Sequence, residues 1–333
     1  MNRPPQHFRR VEPQVLRSFA ESCFLKAGLR PDHAETVAGL LTEADLRGVH
    51  SHGSRQVPGY CRALQEKRLN PNPQLRLVRE SANSVLVDGD GGLGYAPMVM
   101  ATQIAVKKAK ENGIAAAAAR HIGHYGAAGF YVRRAMRAGC NAFSVQGGPS
   151  GIAPAADGDR RQAAYWGNPP LCFGIPGRDE TLVLDMATCI FSDEQRNSGS
   201  DDLQERIPAA FFKSMGLTGT AVSWGGAFVG VDDDKAVEIA KRWPQARGGG
   251  LIVVMDLGLF TDADRVRAGV DAMVGGVRRH MEPVRGYPEA TLPGTPEERL
   301  ERQYRREGVP LALADSLALE EIAAELGVEK PWD

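Results

Sequence analysis

The 333-residue sequence lacks the features that mark membrane, secreted and nucleic-acid-binding proteins. No apolar run approaches the roughly 20 residues that a membrane-spanning helix needs. The N-terminal sequence MNRPPQHFRRVEP has no apolar core of the kind found in signal peptides. A formal net charge of -1 provides no basic surface for nucleic acid. We therefore expect neither a membrane nor a nucleic acid as a partner.

Cysteine is scarce and scattered. The five cysteines form no CxxC pair, and their number is odd. This pattern argues against a disulfide framework and against a structural zinc site, so no metal is expected. With 43% hydrophobic and 24% charged residues, the composition is that of an ordinary globular protein. Reduced thiols in a cytoplasmic enzyme are the expectation.

A Rossmann fingerprint is also missing. The glycine-rich run DGDGGLG at residues 88–94 contains no G-x-G-x-x-G that follows a strand, with a ribose-binding acid at the expected distance. We interpret this run as a turn that leads into the next helix.

Hydrophobic periodicity predicts an α/β protein. Apolar residues at helical spacing predict helices over residues 12–28, 31–48, 57–68, 96–112, 127–138, 262–280, 296–307 and 315–326. Short β-type runs predict strands at residues 75–78, 85–87, 114–119, 141–145, 182–186 and 251–257. Residues 147–158 and 192–202 are rich in glycine or polar residues and are interpreted as loops.

The stretch from Arg47 to Arg55, RGVHSHGSR, concentrates groups that carry chemistry. Histidine gives or takes a proton near neutral pH, and arginine matches a carboxylate with a planar pair of donors. Such a cluster suits protonation of a carbonyl oxygen beside an anionic group. The same composition is equally consistent with a hydrogen-bonded junction between a helix and a loop.

With its flanking residues, this stretch resembles the RGxxSHG segment of the type 2 malate/L-lactate dehydrogenase family. Members reduce 2-oxo acids and, in some branches, cyclic imines that bear a carboxylate. The resemblance implies that His52 protonates the substrate oxygen, that Ser51 orients its ring, and that Arg47 or Arg55 binds the substrate carboxylate. The sequence departs from the pattern at two places. His50 stands where many members have an acidic or other residue, and Gln56 stands where the SHGxxR arginine is expected, with Arg55 one place earlier.

A second run, RHIGHYGAAG at residues 120–129, resembles the family's NHFGxAGYY segment. Small residues that lead into a helix leave backbone N–H groups free for an anion or a carbonyl. The resemblance implies that His124 lines the active site. His121 stands where the family usually has asparagine, and the alternative for it is a solvated loop histidine.

Further resemblances cover the predicted cofactor site. Residues 168–176 (NPPLCFGIP) and 184–189 (LDMATC) resemble the NPxxFGIP and DMATS segments, residues 208–217 resemble PxGGYKGYGL, and residues 292–297 resemble the PGEPE turn. Together these segments imply a dinucleotide site formed by His124, Asn168, Asp185, Met186, Ala187, Thr188, Lys213 and Gly294. Between Cys189 and Pro208 the chain is shorter than in typical members, and several expected glycines are replaced.

The resemblance implies a non-Rossmann dinucleotide-binding fold, with a central mixed sheet covered by helices. Residues 1–75 and 285–333 are expected to form a helical unit that carries substrate and dimer contacts, and residues 76–284 the central domain. We expect an NAD(P)H-dependent oxidoreductase for a small 2-oxo or 2-hydroxy acid, or alternatively for a cyclic imine carboxylate. NADPH and NADH remain equally open, and a homodimer is expected. The rival from another class is a non-redox histidine-dependent enzyme or a binding protein that has lost the dinucleotide site.

Overall fold

A seven-stranded mixed sheet is the centre of the computed structural model, which describes residues 4–151, 166–190 and 205–332. Its order is β2-β3-β4-β8-β5-β6-β7, and β3 and β4 are parallel while all other neighbours are antiparallel. The strands of the described chain are β1 (Phe8–Val11), β2 (Arg76–Glu80), β3 (Ser84–Asp88), β4 (Ile114–Ile122), β5 (Cys140–Gly147), β6 (Pro170–Pro176), β7 (Thr181–Ala187), β8 (Gly248–Asp256) and β9 (Val309–Ala312).

Helices cover the sheet and form the two ends of the chain. Within the described residues they are α1 (Pro13–Lys26), α2 (Pro31–Leu46), α3 (Val57–Gln65), α4 (Tyr95–Asn112), α5 (Gly129–Arg137), α6 (Pro208–Gly225), α7 (Asp234–Arg242), α8 (Ala263–His280), α9 (Thr295–Glu307) and α10 (Leu313–Leu326). Short 3₁₀ turns occupy His50–His52, Ser54–Gln56 and Ala227–Val229. No helix in this described part combines the length and apolar character needed to cross a bilayer.

Alanine sets the close contact between α4 and β4. The strand reads IAAAAARHI, a run with high helix propensity that nevertheless pairs with β3 and β8. Its inward alanines are buried, as are Ala101, Ala105 and Ala109 on the facing side of α4. Small side chains on both elements let the helix lie close to the sheet, and this tertiary packing outweighs local propensity.

The opposite face of the sheet is covered by α6 and the turn that follows it. A separate small core lies there, built from Ala118, Phe143, Val145, Leu171, Val229, Val231 and Leu251. Gly147 of β5 crosses Gly225 of α6 so closely that a Cβ on either residue would overlap backbone of the other. The two glycines therefore allow α6 to lie directly on β5.

The two ends of the chain pack together. β1 pairs antiparallel with β9, so that Phe8 lies opposite Ala312 and Val11 opposite Val309. α10 contacts both α1 and α3. The structure thus shows that the N- and C-terminal parts of the chain pair with each other. The predicted domain boundaries at residues 75 and 285 remain predictions.

The structure confirms the fold class and the predicted helices within a few residues. It adds elements that the sequence did not predict, namely the sheet of β1 and β9, strand β6, and helices α6 and α7. The predicted loop at residues 192–202 and most of that at residues 147–158 lie outside the described residues.

Candidate active site

A buried carboxylate shapes the loop that carries His52. Asp45, in the last turn of α2, accepts the Ser54 backbone N–H at 2.7 Å and lies 3.2 Å from Nδ1 of His50. A side chain at position 53 would collide with this carboxylate, so the loop requires Gly53. Gln56 donates from Nε2 to the Ser51 carbonyl at 2.6 Å. These bonds hold His52 in a tight double turn between α2 and α3.

The fold brings His52 and His124 together, as the two motifs predicted. Their ring centroids lie 5.4 Å apart. Ser51 Oγ lies 2.9 Å from Nδ1 of His52, in a position to orient its ring. Among the described residues, Nε2 of neither ring has a hydrogen-bond partner. Two partly buried imidazoles thus lie next to each other, each with an Nε2 that bonds to no described residue.

Tyrosines fix the other side of His124. Nδ1 of His124 lies 2.5 Å from the Tyr60 hydroxyl, which in turn lies 3.2 Å from the Tyr95 hydroxyl. Burial raises the pKa of both phenols, so Tyr60 keeps its proton and is able to donate it to Nδ1 of His124. Burial, with a smaller contribution from His52, lowers the pKa of His124 to about 4. His124 is therefore neutral at pH 7.

Asp185 on β7 is the acidic group that acts on His52. Its Oδ2 accepts the Gly129 backbone N–H at the start of α5 at 3.0 Å. Burial raises the pKa of Asp185, an effect that Arg133 and this N–H oppose. Burial lowers the pKa of His52, and Asp185 opposes that change. Burial therefore brings the two pKa values closer together, because it raises that of Asp185 and lowers that of His52.

The predicted cofactor residues fall into a common region. Thr188 donates to the Pro169 carbonyl and receives a hydrogen bond from Thr218, at 2.9 and 3.1 Å. Asn168 Oδ1 accepts the Cys189 N–H at 2.9 Å. Gly294, at φ +105°, lies against the backbone of β7, and a Cβ there would meet Val183. The segment that contains Asp185, Met186, Ala187 and Thr188 is thus bounded by Asn168 on one side and by α6 on another.

Lys213 lies on the exposed side of α6 and has no ion-pair partner among the described residues. The neighbouring Ser214 is buried and bridges the Thr188 carbonyl and the Ile190 N–H, at 2.8 Å each. A free ammonium beside this bridged segment suits the phosphates of a dinucleotide. The serine occupies a position where the resemblance expects glycine, so the hydroxyl now closes space next to the backbone.

The two predicted arginines have different surroundings. Arg47 is 5% exposed, and its Nη2 lies 2.5 Å from Glu301 Oε2. Its guanidinium is thus used inside the protein, 3.7 Å from Glu43 as well. Arg55 is exposed, and only a loose pair with Asp315 at 3.7 Å restrains it. Of the two, Arg55 is the one that is exposed to solvent.

Comparison with known proteins identifies the family. Residues 11–210 match the family model described as malate/L-lactate dehydrogenase. The chain belongs to the malate/L-lactate dehydrogenase family. The ureidoglycolate dehydrogenase (NAD(+)) of Escherichia coli O157:H7 is 26% identical over 91% of this chain and 92% of its own length.

Two further comparisons show how far the sequence and the fold have diverged from other proteins of the family. A malate dehydrogenase of Pyrococcus horikoshii is 34% identical, over 56% of this chain and 50% of its own length. A solved malate dehydrogenase structure from Pyrococcus horikoshii superposes with a TM-score of 0.83 at 24% identity, over 99% of both chains. The fold is therefore retained over nearly the whole length. The predictions of the family and of an oxidoreductase with a nicotinamide cofactor are confirmed.

Several residues of the site were not predicted. Asp45 lies two residues before the stretch Arg47 to Arg55 that contains His52, and Tyr60 lies five residues after it, so closeness to this motif was an available signal. Tyr95 and Arg133 gave no local signal, because only the fold brings them near His124 and Asp185. His121 corrects an expectation: it is not a solvated loop histidine but is 1% exposed, with carboxylates on both sides.

Proposed function

We propose that this dehydrogenase interconverts a small 2-oxo acid and the corresponding 2-hydroxy acid, with NADH or NADPH as the cofactor. The observation that carries the proposal is the pair His52 and His124, whose rings lie 5.4 Å apart beside the Asp185 carboxylate. One imidazole is set up to donate a hydrogen bond, and the other to exchange a proton. Reduction of a carbonyl to a hydroxyl requires both a hydrogen bond to the oxygen and the transfer of a proton to it.

His124 serves as the neutral hydrogen-bond donor. We assign the Tyr60 hydroxyl as the donor to Nδ1 of His124, which places the ring proton on Nε2. A neutral donor polarises a carbonyl oxygen without giving up its proton. Tyr95 supports this arrangement through the Tyr60 hydroxyl.

His52 serves as the proton donor in reduction and as the acceptor in oxidation. Its Nδ1 is held by Ser51, which leaves Nε2 for the substrate oxygen. Asp185 favours the protonated ring, while burial favours the neutral ring. Arg55, three residues further along, is the proposed partner for the substrate carboxylate.

The cofactor residues are proposed to be Asn168, Asp185, Met186, Ala187, Thr188, Lys213 and Gly294, with His124 at the reacting end. When bound, the nicotinamide carries the hydride that the substrate carbon gains or loses. Lys213 pairs with a phosphate, and the chain at residues 185–188 lines the pocket. The protein's own part is to hold the substrate oxygen between two imidazoles and to exclude water.

A fluorescence titration with NADH and NADPH, followed by steady-state assays with 2-oxo acids and cyclic imine carboxylates, tests the proposal. We expect saturable binding of at least one nucleotide, weakened about tenfold by Lys213→Met through loss of a charge-assisted bond. Lys241→Met, at an exposed site on α7, should leave binding unchanged. If neither nucleotide binds, the dehydrogenase assignment fails, and the rival function without redox chemistry replaces it. Turnover of imines alone would replace the oxo acid as the substrate.

We further propose a homodimer. Support comes from an aromatic row on the β5–β7 side of the sheet, in which Phe143 contacts Phe173 at 4.7 Å and Trp224 at 5.5 Å between ring centroids. Phe173 is 48% exposed, and Leu184 beside it is also exposed. An apolar surface of this kind on the described residues is typical of subunit interfaces.

Light scattering during size-exclusion chromatography is expected to give twice the 35.9 kDa mass of the chain. Phe173→Asp should shift the protein toward monomer at micromolar concentration, because it places a charge in the apolar contact. Phe260→Asp is the matched control, since Phe260 is 91% exposed outside this surface. A monomeric wild-type protein would contradict the proposal.

A further inference from the structure

A buried charge cluster lies behind the loop that carries His124. His121 Nδ1 lies 3.2 Å from Asp88 Oδ2, and His121 Nε2 lies 3.1 Å from Asp233 Oδ1. Lys235 pairs with Asp88, and Arg120 pairs with Asp233 at 2.7 Å. Two carboxylates and three basic side chains thus meet at the ends of β3 and β4 and at the start of α7.

Each ring nitrogen of His121 faces a carboxylate oxygen. A carboxylate only accepts hydrogen bonds, so an imidazole that faces one on each side bonds to both only when each nitrogen carries a proton. Burial alone would raise the pKa of Asp88, but the bonds from His121 and Lys235 outweigh it and hold that pKa below its ordinary value. The pKa of Asp233 is also lowered, because the Ala236 N–H and His121 outweigh the effect of burial.

The ring joins two parts of the chain that flank the active site. Asp233 caps α7 by accepting the Ala236 N–H at 2.9 Å, and it lies on the segment that follows α6. On the other side, the backbone from His121 to His124 pairs with the glycine-rich turn. Gly91 donates to the His121 carbonyl and Gly94 to the His124 carbonyl, both at 2.9 Å. His121 thus links the chain after the cofactor helix α6 to the chain before His124.

The backbone at His121 has an uncommon conformation. Its φ of +54° lies in the left-handed region, where asparagine, aspartate and histidine are the residues other than glycine that occur most often. The two side-chain bonds hold the residue in that conformation, three positions before His124.

We infer that His121 is a positioning residue for His124: its doubly bonded ring clamps the loop between the Asp88 turn and Asp233, and so fixes the direction of the His124 ring. The inference rests on the proposed function of His124. It assigns no contact with the substrate to His121 itself.

Two mild variants test the clamp. His121→Asn tolerates the positive φ but is too short to bridge both carboxylates. Asp233→Ser retains a helix cap, since serine caps about as well as aspartate, but its shorter side chain withdraws the carboxylate oxygen from His121 Nε2. We expect each variant to lower kcat about tenfold with the nucleotide dissociation constant within twofold, because a small misorientation of a reacting group is costly. The double variant should lose little more than either single one.

Nitrogen-15 NMR of the histidine rings provides a readout that does not depend on turnover. In the wild-type protein at pH 7, His121 should show both ring nitrogens protonated, and His124 a proton on Nε2 alone. In His121→Asn, His124 should show a mixture of both neutral forms, whereas the exposed-site control His7→Asn should leave it unchanged.

The outcomes separate the two claims. Unchanged His124 signals together with an unchanged kcat in both variants would overturn the positioning role. Altered His124 signals in a protein that turns over no 2-oxo acid or imine would retain the clamp and overturn the proposed function. A His121 ring with a single protonated nitrogen would overturn the clamp directly.

Discussion

Replacement of His52 by glutamine is expected to lower kcat by about 10²- to 10⁴-fold, the usual contribution of a positioned acid or base. Glutamine keeps a polar side chain in the double turn but exchanges no proton. The nucleotide dissociation constant should change less than about twofold, because His52 is proposed to face the substrate oxygen and not the phosphates. Steady-state kinetics in both directions and a nucleotide titration measure the two effects.

The pH dependence has a definite sign. Burial lowers the pKa of His52, so the neutral ring that accepts a proton during oxidation persists below the ordinary imidazole value of about 6.5. Oxidation should therefore rise with pH and level off below that value, and reduction should fall as pH rises through the same range. His52→Gln should remove this pH-dependent limb of the rate profile.

His124→Gln is the matched control for the pH limb. It should also lower kcat, but the limb should remain, because the His124 pKa of about 4 keeps its ring neutral throughout that range. A limb that survives in His52→Gln and disappears in His124→Gln would reverse the two assignments.

The sequence predicted those elements whose pattern is local. Strand β4 was recognised despite five consecutive alanines, because Gly113 ends the preceding helix and isoleucine flanks the run. Strand β6 was missed because prolines stand at both of its ends, and prolines are typical of loops as well as of strand termini. Helix α6 was missed because residues 208–217 were interpreted only through their resemblance to a cofactor-binding segment, without a prediction of their secondary structure.

The candidate site depended on contacts that no local pattern contains. His52 and His124 were predicted separately, and only the sheet and α3 bring their rings to 5.4 Å. The tyrosine that fixes the His124 proton comes from α3, and the acid that acts on His52 comes from β7. Such couplings depend on tertiary packing, so residue types alone could suggest the chemistry but not assign the roles.

The two candidate arginines also show that the sequence alone could not assign roles to the residues it singled out. In the sequence, Arg47 and Arg55 are equally plausible ligands for a carboxylate, since they flank His50 and His52. The structure separates them by their partners. Arg47 is buried against Glu301 and Glu43, and Arg55 is exposed. We therefore expect Arg47→Met to affect mainly the stability of the fold and Arg55→Met to affect mainly substrate binding.

Arg47→Met is expected to destabilise the fold by about 1–3 kcal/mol, because Glu301 loses the buried one of its two cations and keeps only the exposed Arg305. Arg55→Met should change the free energy of unfolding by less than about 0.5 kcal/mol, as at most exposed sites, but should raise KM for the substrate. Urea unfolding and steady-state kinetics on both variants measure the two effects.

The stabilisation by Arg47 should also depend on pH. Burial alone would raise the pKa of Glu301, but Arg47 and Arg305 hold it below its ordinary value. A carboxylate with a depressed pKa stabilises the fold above its unfolded pKa, and this contribution is lost as pH falls through the folded value. The difference in unfolding free energy between wild type and Arg47→Met should therefore shrink in acid. A stable Arg47→Met protein with a raised KM would instead make Arg47 the carboxylate ligand, and the ion pair with Glu301 would then have to open when substrate binds.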